Sequence, residues 1–172
     1  MVRLEYSRMK PSYSISQRWA RKTLEIMISY FPKKQSIPTI GRFQQHAYYS
    51  LSLALVDDPT IHRLNRQFRH KDAVTDVLSI EGEIEFLAGN QNEEIDLGEV
   101  IISYPQTQRQ AKEHGVSTRH EFEKLFIHGF LHALGFDHIK DSDARRMMPL
   151  EEYMKDVLDA HRPLFPTKKV VQ

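Results

Sequence analysis

Cysteine is missing from all 172 positions. That excludes disulfides, thiolate-bound zinc, iron–sulfur clusters and a cysteine nucleophile together. Long apolar runs are missing too: nothing approaches the ~20 consecutive residues that a membrane helix requires. The opening stretch MVRLEYSRMKPSYS places no apolar block behind its charges, so no secretory leader is expected and the cytoplasm is the default compartment. Repeats, low-complexity tracts and glycine–serine linkers are also lacking, so a single domain over 1–172 is expected, with loose ends at 1–10 and 163–172. What is present is ordinary for a globular chain: 40% apolar and 27% charged residues.

A net charge of +1 conceals an uneven distribution. Residues 1–71 carry 13 Lys/Arg against 4 Asp/Glu, whereas residues 72–172 carry 11 against 19. A basic half of this kind suits a polyanion such as nucleic acid. Within it, Arg63, Arg66, Arg69 and Lys71 fall close together and form a candidate track for a nucleic-acid backbone.

Helical periodicity brings Ala20, Leu24, Met27, Ile28 and Phe31 to one side of 16–31, with Ser16 as N-cap. Alternation around Leu51, Leu53 and Leu55 predicts a strand over 47–56. A short helix is predicted to start with Asp58 as N-cap and Pro59 at the first helical position. Strands are predicted over 75–80 and 95–103, and a loop or hairpin tip over 81–94. A helix follows from about Tyr104 to His114. Thr118 and Glu121 have the spacing of a capping box for the next helix, which runs on to Gly135. A last helix starts near Asp141, and Pro149 inside it is expected to kink or break it. Mixed helices and strands without strict alternation predict an α+β domain, a small sheet packed against several helices.

The segment HGFLHALGFDH, 128–138, concentrates imidazole in an otherwise apolar helix. At about 100° per residue, His128 and His132 lie one turn apart on nearly the same side. Gly135 suits the left-handed conformation that ends a helix, so the chain can double back and bring His138 to the same point. Three neutral nitrogen donors with one open position make a catalytic rather than a structural zinc arrangement, with one ion per chain. Zinc peptidases with this histidine spacing place Glu directly after the first histidine as general base. Here that residue is Gly129.

HGFLHALGFDH closely resembles the H-G-x-L-H-L-x-G-Y-D-H signature of the YbeY family of bacterial single-strand endoribonucleases. LNRQFRHKDAVTDVLSI (64–80) is similar to that family's L-N-x-x-Y-R-x-K-D-x-x-T-D/N-V-L-S-F block, and LGEVIIS (97–103) to its L-G-D-I-x-I-S strand. The resemblance implies a four-stranded mixed sheet flanked by helices. It implies His128, His132 and His138 as zinc ligands and Arg69 as the catalytic or phosphate-binding residue. It further implies cleavage of single-stranded RNA in ribosomal RNA processing (maturation of the 16S 3′ end), a part in ribosome quality control, and the ribosome or its subunit proteins as partners, with neither DNA nor membrane. The rival expectations are a zinc hydrolase of another substrate, peptidase-like, and a non-catalytic ribosome assembly factor. Phe68 and Phe136 stand where the pattern has tyrosine, Ala133 where it has leucine, Ile80 where it has phenylalanine, and Glu99 where it has aspartate. Asp76, Glu99 and Asp137 receive no role from the sequence.

Overall fold

Alternation in the first residues, Val2, Leu4 and Tyr6 against Arg3, Glu5 and Ser7, already has strand periodicity. A computed structural model, which describes residues 1–44, 47–82 and 94–161, places strand β1 there, over Val2–Arg8. The expectation of a loose end at 1–10 is therefore corrected. The other expected loose end, 163–172, lies outside the described residues, as does most of the expected loop at 81–94.

Helix α1 (Gln17–Tyr30) starts where expected, with the Ser16 side chain accepting from the Trp19 N–H. It is followed by β2 (Tyr48–Val56), α2 (Asp58–Arg69), β3 (Val77–Glu81), β4 (Glu94–Ser103), α3 (Tyr104–Glu113), α4 (Thr118–Ala133) and α5 (Asp141–His161). The sheet order is β1-β2-β4-β3, with β1, β2 and β4 parallel and β3 antiparallel on the far edge. This is the α+β architecture that the residue pattern predicts, with the four-stranded mixed sheet that the family resemblance implies.

Strand alternation sends side chains to both faces of the sheet, and the two faces are covered differently. Leu51, Leu53, Leu55, Val100 and Ile102 join α1, α4 and α5 in the main core. Within it, Phe122, Phe126 and Phe130 of α4 are fully buried. Truncating one such ring costs ~3–5 kcal/mol. On the opposite face Ile101, Leu78 and Val56 pack with Ile61 in a smaller cluster beneath α2. The sheet edge at β3 is thus bracketed by α4 on one side and α2 on the other.

Two local expectations are corrected, and a third in part. The N-cap of α2 is Asp57, which accepts from the Thr60 N–H at 3.1 Å. Asp58 instead receives the Ser103 hydroxyl at 2.6 Å and the Arg109 guanidinium at 2.8 Å, tying α2 to the β4–α3 junction. The cap of α4 is Ser117 rather than Thr118. Glu121 makes no capping box, because its buried carboxylate takes His114 at 2.8 Å and Lys124 at 3.3 Å. Pro149 does not break α5, which continues through it. Pro149 and Arg145 are both exposed, so water can take the carbonyl bond that the ring forfeits.

Candidate metal centre

The apolar residues of α4 bury one side of the helix, and its histidines are left at the rim. His128 and His132 are half-buried and His138 is exposed. The turn that returns His138 depends on Gly135, whose φ is +82°. A Cβ there would stand 2.9 Å from the Pro38 Cβ and 3.0 Å from the Thr39 Cγ2. The same loop anchors the helix end, since the Thr39 hydroxyl donates to the Leu134 carbonyl at 3.2 Å. Buried Phe136 then pins the returning chain, its N–H donating to the Leu131 carbonyl at 3.0 Å.

These constraints bring the three expected ligands together. One ring nitrogen from each of His128, His132 and His138 lies within 4.8 Å of the others, and the ring centroids are 4.6, 5.0 and 5.2 Å apart. The Nε2 atoms of His128 and His132 face each other at 3.1 Å. Two nitrogens held tetrahedrally at 2.0–2.1 Å from one ion would be about 3.3–3.4 Å apart. The donor set therefore fits a metal ion with little adjustment.

Glu151 of α5, unremarked in the sequence, sits at 2.5 Å from His128 Nδ1. An ionised carboxylate only accepts, so Nδ1 carries the proton and Nε2 keeps its lone pair for a metal. Asp137 is engaged differently. Its carboxylate accepts the backbone N–H of His138 at 2.7 Å, and this bond holds it below the usual carboxylate range. Burial, and then the neighbouring His128 and His138, push the pKa of His132 down to about 4. His132 is accordingly an uncharged donor near neutral pH, as metal ligation requires. Replacing Glu151 with Gln is expected to weaken metal affinity about 10–100-fold, measured by competition with a chromogenic chelator.

Gly129 faces the sheet. A Cβ built on it would lie 2.6 Å from Val100 Cγ1, 3.0 Å from Val77 Cγ2 and 3.2 Å from Ser79 Oγ. The position that carries the general base in zinc peptidases is here a packing contact with no room for any side chain. Gly129→Ala is expected to cost about 1–3 kcal/mol through overpacking, read as a lowered Tm.

Arg69 reaches the same edge from the other side of the sheet. Its guanidinium donates to the Ser79 carbonyl at 3.2 Å, on the strand that packs against Gly129 beside His128. Arg63, Arg66 and Lys71 are exposed along and just beyond the same helix. Asp76 is structural: it accepts the Val77 N–H at 2.8 Å and the Gln110 amide at 2.9 Å. Glu99 pairs with Ile80 in the β3–β4 ladder and is not among the metal-ligand candidates.

A family model described as Endoribonuclease YbeY matches residues 8–159. Relatives named Endoribonuclease YbeY include one from Rhizorhabdus wittichii, 34% identical over 146 residues, covering 83% of this chain and 85% of that one. Another, from Synechocystis, is 32% identical over 153 residues, covering 87% and 79%. A third, from Pelotomaculum thermopropionicum, is 49% identical over 105 residues, covering 59% and 67%. The solution structure of a Thermotoga maritima protein, 21% identical, superposes with a TM-score of 0.56 over 99% of this chain and 100% of its own. That likeness concerns the fold.

Proposed function

This chain belongs to the Endoribonuclease YbeY family, and from that premise we propose that it is a zinc-dependent endoribonuclease specific for single strands. On this reading one domain acts in the cytoplasm on ribosomal RNA, at the 3′ end of 16S rRNA, with the ribosome or its subunit proteins as partners and a part in ribosome quality control. The observation that carries the reading is the convergence of His128, His132 and His138 beside Gly129, which packs against β3, the strand whose Ser79 carbonyl takes the Arg69 guanidinium.

His128, His132 and His138 would hold one zinc ion. When bound, it lowers the pKa of a water and polarises a phosphoryl oxygen. The chain's own residues supply the rest. Arg69 presents a planar fork that matches two oxygens of the scissile phosphate and stays charged at any working pH. Glu151, accepting from the His128 Nδ1, would hold the ring in the tautomer that leaves Nε2 free for the ion. Arg63, Arg66 and Lys71, exposed on one stretch, supply counter-charge to the backbone on either side. Phe68, half exposed among them, offers a face on which an unpaired base can stack.

Two rival readings are weaker on specific grounds. A peptidase needs a carboxylate where Gly129 packs against Val100 and Val77. A structural zinc in an assembly factor takes four protein ligands, and among the described residues the cluster contains three. The test is to incubate the zinc-loaded protein with single-stranded RNA, duplex RNA, single-stranded DNA and a peptide library. Cleavage confined to single-stranded RNA is the expected result. Peptide cleavage, or RNA cleavage that survives both Arg69→Ala and His128→Ala, overturns the assignment.

A further inference from the structure

Arg69 stands at the exposed last residue of α2. A long side chain in that place can be aimed at a phosphate only if the helix end itself is held firmly. Ile61, Asn65 and Arg69 recur every four residues along one side of α2, so the three side chains are successive neighbours. Ile61 belongs to the small core cluster under the helix, and Asn65, 5% exposed, takes the next buried position. We propose that Asn65 is the positioning residue for Arg69: it ties the end of α2 to the segment that leads into β3, and so fixes where the guanidinium stands. The inference rests on the reading that Arg69 meets the scissile phosphate.

Both the side chain and the backbone of Asn65 take part. Its side-chain amide donates to the Ala73 carbonyl at 2.8 Å. Its backbone carbonyl receives the His70 N–H and, at 3.4 Å, the Lys71 N–H. His70, directly after Arg69, has a φ of +56°. A residue other than glycine keeps that left-handed conformation where its surroundings impose it. Asn65 imposes it from both sides of the turn, through the backbone at 70–71 and through the amide at Ala73.

Residues 70–74 are exposed, so hydrogen bonds rather than packing hold their course. His62 also reaches this segment, at 2.8 Å from Asp72, but both side chains lie in water, which competes for the contact. The far end is anchored separately, where the Asp76 carbonyl accepts the Ser103 N–H at 2.8 Å. The Asn65 bond is thus the buried tie between the helix that carries Arg69 and the approach to the strand on which its guanidinium rests. A buried amide costs stability unless it is hydrogen-bonded, and an aliphatic residue would serve the core as well. What Asn65 adds is direction, and the residue one turn further on is the one that has to be aimed.

The test is a double-mutant cycle on the zinc-loaded full chain, with a labelled single-stranded RNA. Asn65→Asp keeps the shape and loses the donor, whereas Asn65→Leu fills the place with apolar atoms. Each is expected to lower kcat about tenfold or more, with KM and metal content near wild type. In an Arg69→Ala background neither should lower kcat further, because the residue being aimed is gone. Hydrogen exchange at the amides of His70 and Lys71, read without substrate, should rise in both variants while α4 is unaffected. A purely structural residue would instead multiply its loss with that of Arg69→Ala, and that result overturns the proposal. Wild-type cleavage that depends on Arg69 but not on Asn65 overturns it alone. A wild type that cleaves no RNA overturns the RNA reading and this proposal with it.

Discussion

Replacing His128, His132 or His138 with alanine is expected to remove the ion of that centre and lower RNA cleavage by ~10³-fold or more. The magnitude follows from what a Lewis acid supplies at a reacting phosphate, several kcal/mol of charge stabilisation, at 1.36 kcal/mol per decade. Because the three rings serve one ion, the losses should not add: the triple variant should be about as impaired as any single one. The folded state should survive, since His138 is exposed and the other two rings are half-buried at the rim of a core formed by Phe122, Phe126 and Phe130. Metal analysis beside cleavage of a labelled single strand checks the prediction. Full activity in a variant lacking the centre's ion would sink both the ligand assignment and the proposed chemistry.

The histidine site was legible because its determinants are local. Two rings at i and i+4, a glycine able to take a positive φ and a third ring beyond the turn are all contained in eleven residues. Glu151 was not legible, because its relation to His128 exists only once α5 folds back along α4, 23 residues later. At Gly129 the sequence displays only the lack of a base. Its positive role, admitting the sheet to within contact of the helix, requires knowing that Val77, Ser79 and Val100 share the face opposite it.

The two misplaced helix caps have a common origin in competition between neighbouring polar residues. Asp57 and Asp58 could each cap α2, as Ser117 and Thr118 could each cap α4. In both pairs the earlier residue caps, and the side chain of Asp58 goes to Ser103 and Arg109 from elements not yet formed in sequence space. Strand β1 was missed although its alternation was visible, because its pairing with β2, Leu4 opposite Leu51 and Tyr6 opposite Leu53, spans 47 residues. Arg69 is a different case. By residue type alone it is an exposed arginine at the end of a helix, and only the family block distinguished it. The fold adds a reason: β3 is the edge strand, so a side chain from α2 can reach its backbone at the Ser79 carbonyl, on the strand against which α4 packs.

That placement makes Arg69→Ala the second large effect, a loss of about 10²–10³-fold in cleavage, the usual consequence of removing one aimed donor from developing charge. Metal content and Tm should stay at wild-type values, because the bond to the Ser79 carbonyl is exposed and no core contact is lost. Arg69→Lys should recover only part of the activity, since an ammonium keeps the charge but lacks the fork that meets two oxygens. The loss should fall on kcat if the guanidinium acts mainly on the transition state. Alanine at Arg63, Arg66 or Lys71 should behave differently, raising KM modestly and reducing the salt dependence of binding. If Arg69→Ala resembled those three, a KM effect that salt erases, Arg69 would be one more backbone contact and the β3 edge would not be where the scissile phosphate sits.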